Sequence, residues 1–222
     1  MPITLDFWAV LVDWRMLFTG VLWTLGLTAV STVLGLALGI VCCAARTSGP
    51  VWVKIVVGAY VELFRNTPFI AQLFFIFFGL PAMGIRLSPA EASILAMVVN
   101  LAAYATEIIR AGVEATPRGQ REAGESLALS PAQIYLWVVL PPALSRVWPA
   151  LVSQIIIVML GSSVCGQIST TELSFMANLI QSRNFRAFEA FIIAAAAYLV
   201  LSIFVRFLLN WIGPRLIFGG RT

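Results

Sequence analysis

Asn100, Tyr104 and Glu107 recur at i, i+4 and i+7 inside "ASILAMVVNLAAYATEIIRA", so they share one face of a helix in an otherwise oily run. An amide, a phenol and a carboxylate on such a face can hydrogen-bond a passing solute or hold a neighbouring helix. Glu107 has a partner at i+3, Arg110, and the spacing favours that pair. Two further groups interrupt apolar sequence in the same way. Asn66, Thr67 and Gln72 flank Pro68, and Gln154, Ser162, Ser163 and Gln167 punctuate "SQIIIVMLGSSVCGQI". Polar side chains at such depth are costly, which marks them as candidates for a solute pathway. Asn100 and Tyr104 serve equally well as glue between helices. "GSSVCG" also reads as a flexible break that could line a cavity. A fourth set, Thr24, Thr28, Ser31, Gly35 and Gly39, forms a small-residue stripe, which reads as helix packing.

The elements that must position these groups are membrane helices. The 222 residues are 60% hydrophobic and 11% charged, with a mean hydropathy of +0.96. Soluble domains carry about 25% charged residues, so this chain cannot wet a globular surface. A span needs roughly 20 apolar residues. Five stretches meet or approach that length, at about 17–45, 51–80, 92–111, 147–168 and 190–212. Glu62, Arg65 and Pro68 interrupt the second, which predicts an interfacial start and a kinked span. The reading is an all-α integral membrane protein, a single transmembrane domain over 1–222 with a cytosolic segment at about 112–140.

Five spans place the termini on opposite sides. Arg15, Arg86, Arg183 and Arg186 fall on one side. Arg46, Lys54, Arg110, Arg118, Arg121, Arg146, Arg206, Arg215 and Arg221 fall on the other, and Arg65 is left unassigned for depth. Nine against four puts the richer side in the cytosol. The N-terminus is then outside, the C-terminus inside and 112–140 cytosolic. "MPITLDFWAVLVDW" lacks a basic n-region and carries Asp6 and Asp13, unlike a cleavable signal. There is no histidine, and Cys42, Cys43 and Cys165 lack ligand spacing, so no His/Cys metal site or structural disulfide is expected. The net charge of +4 resides in arginines at membrane edges, not in a nucleic-acid patch.

The cytosolic segment carries strong local signals. Thr116-Pro117 offers an N-cap and a first-turn proline for a helix to about Leu127. "LSPAQI" starts a second helix, with Ser130 as N-cap, Pro131 at N1 and Gln133 at N3 of a capping box. Leu129 and Ile134 take the places of a hydrophobic staple. Pro141-Pro142 would end this second helix. The alternative is a merely solvated loop, but a solvated loop needs no such capping, and the pair looks built to dock into a partner's groove.

The stretch "EAGESLALSPAQIYLWVVLP" resembles the EAA motif of permease subunits of binding-protein-dependent ABC importers. Glu122, Ala123, Leu140 and Pro141 match at the motif's spacing, and Val138 takes its Ile place. Gly124 stands where the motif has Ala, and Ala128 where it has Gly; Pro131 is expected to enforce the turn instead. "YVELFRNTPFIAQLFFIFFGLP", "AAYATEIIRAGVEATPRGQREA", "LPPALSRVWPALVSQ" and "STTEL" resemble the polar amino acid branch, over roughly 17–212.

The resemblance implies a MetI-like fold and a permease subunit in the bacterial inner (plasma) membrane. It works with a second permease, a cytosolic ABC ATPase dimer and an external substrate-binding protein. ATP and magnesium would be held by the ATPase, and closure of that dimer would flip the pathway. Glu122, Ala123, Gly124, Glu125, Ser126, Leu127, Ala128, Leu129 and Ser130 would form the ATPase contact. The chain itself has no Gly-Lys-Ser/Thr, and its sole lysine is Lys54, so it is not expected to hydrolyse ATP. Polar amino acids or relatives such as opines are the implied solutes. Many members carry Lys-Asp where this chain has Leu160 and Gly161, which suggests a non-identical second permease supplying charge. The alternatives are an ATP-independent channel or secondary carrier, or a membrane anchor that transports nothing. A carrier usually shows an internal repeat or mid-depth carboxylates; no repeat is found, and Glu107 and Glu172 lie near span ends.

Overall fold

A computed structural model describes residues 5–213 and residue 215. After a single turn at Trp8–Leu11, the helices are α1 (Trp14–Ser48), α2 (Val51–Arg65), α3 (Phe69–Met83), α4 (Pro89–Glu114), α5 (Arg118–Ser126), α6 (Pro131–Ile168), α7 (Leu173–Asn184) and α8 (Ala187–Ile212). α1, α4, α6 and α8 are each long and apolar enough to span a membrane, and α2 with α3 meets the same criteria only as a bent pair, which gives four spans, or five if that pair crosses. The expected kink is a bend of 111°. Pro68 causes it: its ring forbids a continuing helical turn and leaves its residue as the extended N-cap of α3.

α1 and α4 form the centre and run parallel. A Cβ on Gly35 would lie 2.9 Å from Leu101 Cδ2, and one on Gly39 would lie 2.8 Å from Ala105 Cβ. Glycine at these places lets the two backbones approach, as the small-residue stripe predicts. Thr24, Thr28 and Ser31 are buried on the same face. Thr24 Oγ1 accepts from the Leu173 amide at 3.2 Å, tying α1 to the start of α7.

α6 returns antiparallel to α4. Arg146 donates to the Gly112 carbonyl near one end, and Ser93 meets Thr170 at 2.7 Å beyond the other. α8 reverses again: Tyr198 donates to buried Glu172, and Trp148 Nε1 donates to the Leu209 carbonyl. Glu172 caps α7 by accepting from the Ser174 and Phe175 amides. α1 and α4 thus run one way, α6 the other, and α8 back again, while α2 and α3 join the end of α1 to the start of α4.

Two local expectations are corrected. Pro141-Pro142 do not end a helix. α6 passes through them because its second turn is a π-helix at Ile134–Val139, followed by α-helix at Leu140–Gly161. The widened turn ahead of the prolines absorbs their missing donors and ring bulk. The helix that carries the apolar stretch at 147–168 thus begins at Pro131. Thr116 also fails to cap α5. Its hydroxyl donates backwards to the Gly112 carbonyl, and Pro117 is the uncapped N-cap residue.

Candidate functional site

The broken span opens a cavity of about 370 Å³ near the middle of α4. Thr67, Pro68 and Phe69 contribute the break itself, Asn100 and Tyr104 contribute α4, and Gln154, Ile157, Val158 and Gly161 contribute α6. Four of the sequence-identified pathway residues thus line one space: Thr67, Asn100, Tyr104 and Gln154. A fifth, Gln72, stands directly behind the wall. Its Oε1 accepts from Asn100 Nδ2 at 2.9 Å, and its Nε2 lies 2.8 to 3.1 Å from the Phe64 carbonyl and from both Thr67 oxygens. Tyr104 donates to the Arg65 carbonyl at 3.2 Å. These bonds serve carbonyls freed by the Pro68 break, which no lipid could satisfy. Asn100 and Tyr104 thus bond across helices and also line the cavity.

Gln154 differs. It is only 8% exposed and lines the cavity, and its amide has no hydrogen-bond partner among the described residues. The amide is open to the cavity and not sealed in the core, so it is available to a solute or to water.

Asn66, Ser162, Ser163 and Gln167 do not line this space. Asn66 folds back on Glu62, Ser162 and Ser163 donate to the carbonyls of Met159 and Leu160, and Gln167 is exposed. Residues 162–168 form a tight 3-10 segment that ends at left-handed Ser169. Gly161, in contrast, lines the cavity wall.

One end of the bundle carries an ion-pair chain. Glu107 pairs with Arg110 at 2.8 Å, as its spacing predicts, and also with Arg46 of α1; Arg110 continues to Glu114. Sequence spacing reveals the Arg110 pairs but not Arg46, which lies 61 residues away. This end leads into the candidate coupling segment.

α5 and the start of α6 form that segment. The Ser130–Gln133 capping box is complete: the Ser130 amide donates to Gln133 Oε1 at 2.8 Å, and Ser130 Oγ accepts in return. α5 ends in a Schellman motif. The Leu129 amide donates to the Gly124 carbonyl and the Ala128 amide to the Glu125 carbonyl. Ala128 sits at φ 56°, the left-handed position that glycine usually fills. The turn is therefore made by Ala128 itself, not enforced by Pro131. Gly124 is buried, and a Cβ there would meet Ile134 Cγ1 at 3.0 Å. Around it Glu122, Ala123, Glu125, Ser126 and Leu127 are exposed, and Leu127 keeps 75% of its surface free.

The family described as "Binding-protein-dependent transport system inner membrane component" matches residues 31–218. The chain belongs to this family. It is a multi-pass component of the inner membrane, and it shares 33% identity with the glutamine transport system permease protein GlnP of Escherichia coli (strain K12), over 90% of this chain and 93% of that one. The L-cystine transport system permease protein TcyB of Bacillus subtilis (strain 168) is 34% identical over 77% of this permease and 73% of its own length. A crystal structure of an amino acid ABC transporter with histidines superposes with a TM-score of 0.85 at 33% identity, covering 96% of this chain and all of that one. Inward-facing MetNI, a methionine ABC transporter, shares the fold at a TM-score of 0.70 and 24% identity.

Proposed function

We propose that this permease forms part of the membrane pathway of an ATP-driven importer for polar amino acids or related small solutes such as opines. The observation that carries the reading is continuity. The cavity wall on α6 and the Ser130-capped start of α6 belong to one helix, so displacement at the coupling segment moves Gln154 and Gly161. A cytosolic ABC ATPase dimer, binding ATP and magnesium, would engage Glu122 to Ser130. An external binding protein would present solute at the other end. Coupling then means that nucleotide and loaded binding protein bias one two-state bundle from opposite ends. An ATP-independent channel or carrier would need no such docking surface. Hydrolysis belongs to the ATPase.

The nine-to-four distribution of basic residues supports an outside N-terminus and a cytosolic C-terminus; both terminal residues lie outside the described residues. With no charged side chain lining the cavity among the described residues, this permease would pair with a non-identical one that supplies more charge. Reconstitution with the ATPase and binding protein, with and without a second permease, tests the reading. ATP-dependent uptake of a polar amino acid only when both permeases are present is expected. Full-rate transport by a homodimer refutes the heterodimer. Flux without ATP refutes the importer.

A further inference from the structure

The polar groups around the mid-depth cavity are a hydroxyl, a phenol and two carboxamides, from Thr67, Tyr104, Asn100 and Gln154. Among the described residues no carboxylate lines it. The acidic groups near its rim are turned elsewhere: Glu107 is held between Arg46 and Arg110, and Glu62 reaches the Asn66 amide. One wall residue does meet a charge, and it is positive: the Arg65 guanidinium stands 5.6 Å over the Tyr104 ring. A cation entering this space would lose its water without gaining a counter-charge, whereas a carboxamide or hydroxyl can bond to the open Gln154 amide.

Gly161 controls this balance. It forms part of the wall, and a Cβ built on it would meet no atom within 4 Å. A side chain there enters the cavity without displacing anything. Its absence leaves the wall both wider and uncharged.

We infer that the cavity of this permease receives the uncharged polar or anionic end of its solute and rejects a cationic one, and that Gly161 is the specificity-determining position. The inference rests on the importer reading and narrows its solute class.

The test measures binding of radiolabelled L-glutamine, L-glutamate and L-arginine to the purified complex of both permeases and the ATPase, without binding protein. Wild type is expected to bind glutamine or glutamate at least tenfold more tightly than arginine. Gly161→Asp should shift that ratio at least tenfold toward arginine, and Gly161→Asn, of equal bulk and no charge, should leave it unchanged. Equal or tighter arginine binding by wild type overturns the inference, as does an unmoved ratio in Gly161→Asp or no binding of any of the three. Glutamine uptake with ATP and binding protein is followed in parallel. If uptake persists while binding fails the prediction, the charge inference alone falls; if no polar amino acid is taken up, the importer reading falls with it.

Discussion

At Ala128 an L-residue stands in a left-handed turn that costs about 1–2 kcal/mol relative to a right-handed one. Ala128→Gly removes that strain and adds some unfolded-state freedom, for a net gain of about 1 kcal/mol. Slower amide exchange at α5 is the expected readout, with uptake retained. The two glutamines of the site should part company. Gln72 serves oxygens of Phe64 and Thr67 and bonds Asn100, so Gln72→Leu leaves buried groups unsatisfied and destabilises by about 1–3 kcal/mol for each. Gln154 serves no protein group, so Gln154→Leu should keep the melting temperature within a degree or two while lowering uptake at least tenfold. Thermal melts and uptake assays on the two variants separate a structural amide from a solute-facing one. Sequence placed both glutamines in one class because spacing shows depth and not partners.

Among the elements, α6 carries the most weight. Its π-turn at Ile134–Val139 sits between the coupling start and the cavity wall. Inserting one alanine after Val138, a second extra residue that the π-turn cannot absorb, rotates the coupling start by about 100° against the span. Uptake should fall more than tenfold while membrane insertion is unchanged, checked by transport and surface labelling of the same vesicles. The start of α6 was legible in sequence because capping residues act within four positions of each other. The π-turn was not, since a proline pair reads locally as a stop and only packing against Gly124 and α4 keeps the helix going. Likewise Pro68 announced a break, but the 111° bend depends on bonds from Gln72 and Tyr104 that close across helices.

Across the whole molecule, five alternating crossings predict that reporters after Gly84, Gly119, Arg183 and Thr222 read out, in, out and in. A different pattern would mean that the α2–α3 pair does not cross. The span count was readable because hydropathy fixes it. The joining of Thr67, Asn100, Tyr104 and Gln154 into one cavity was not, because it needs three helices brought together. In the coupling proposed above, motion at α5 reaches that cavity. This is tested most directly by ATP-dependent solute uptake in proteoliposomes holding the complete transporter, comparing wild type with Ser126→Pro and Glu122→Arg. Proline at Ser126 breaks the last turn of α5, and arginine at Glu122 reverses the charge on its exposed face. The account predicts assembled, inserted transporters with no uptake and no solute-stimulated ATP hydrolysis. Wild-type uptake and stimulation in both variants would contradict it.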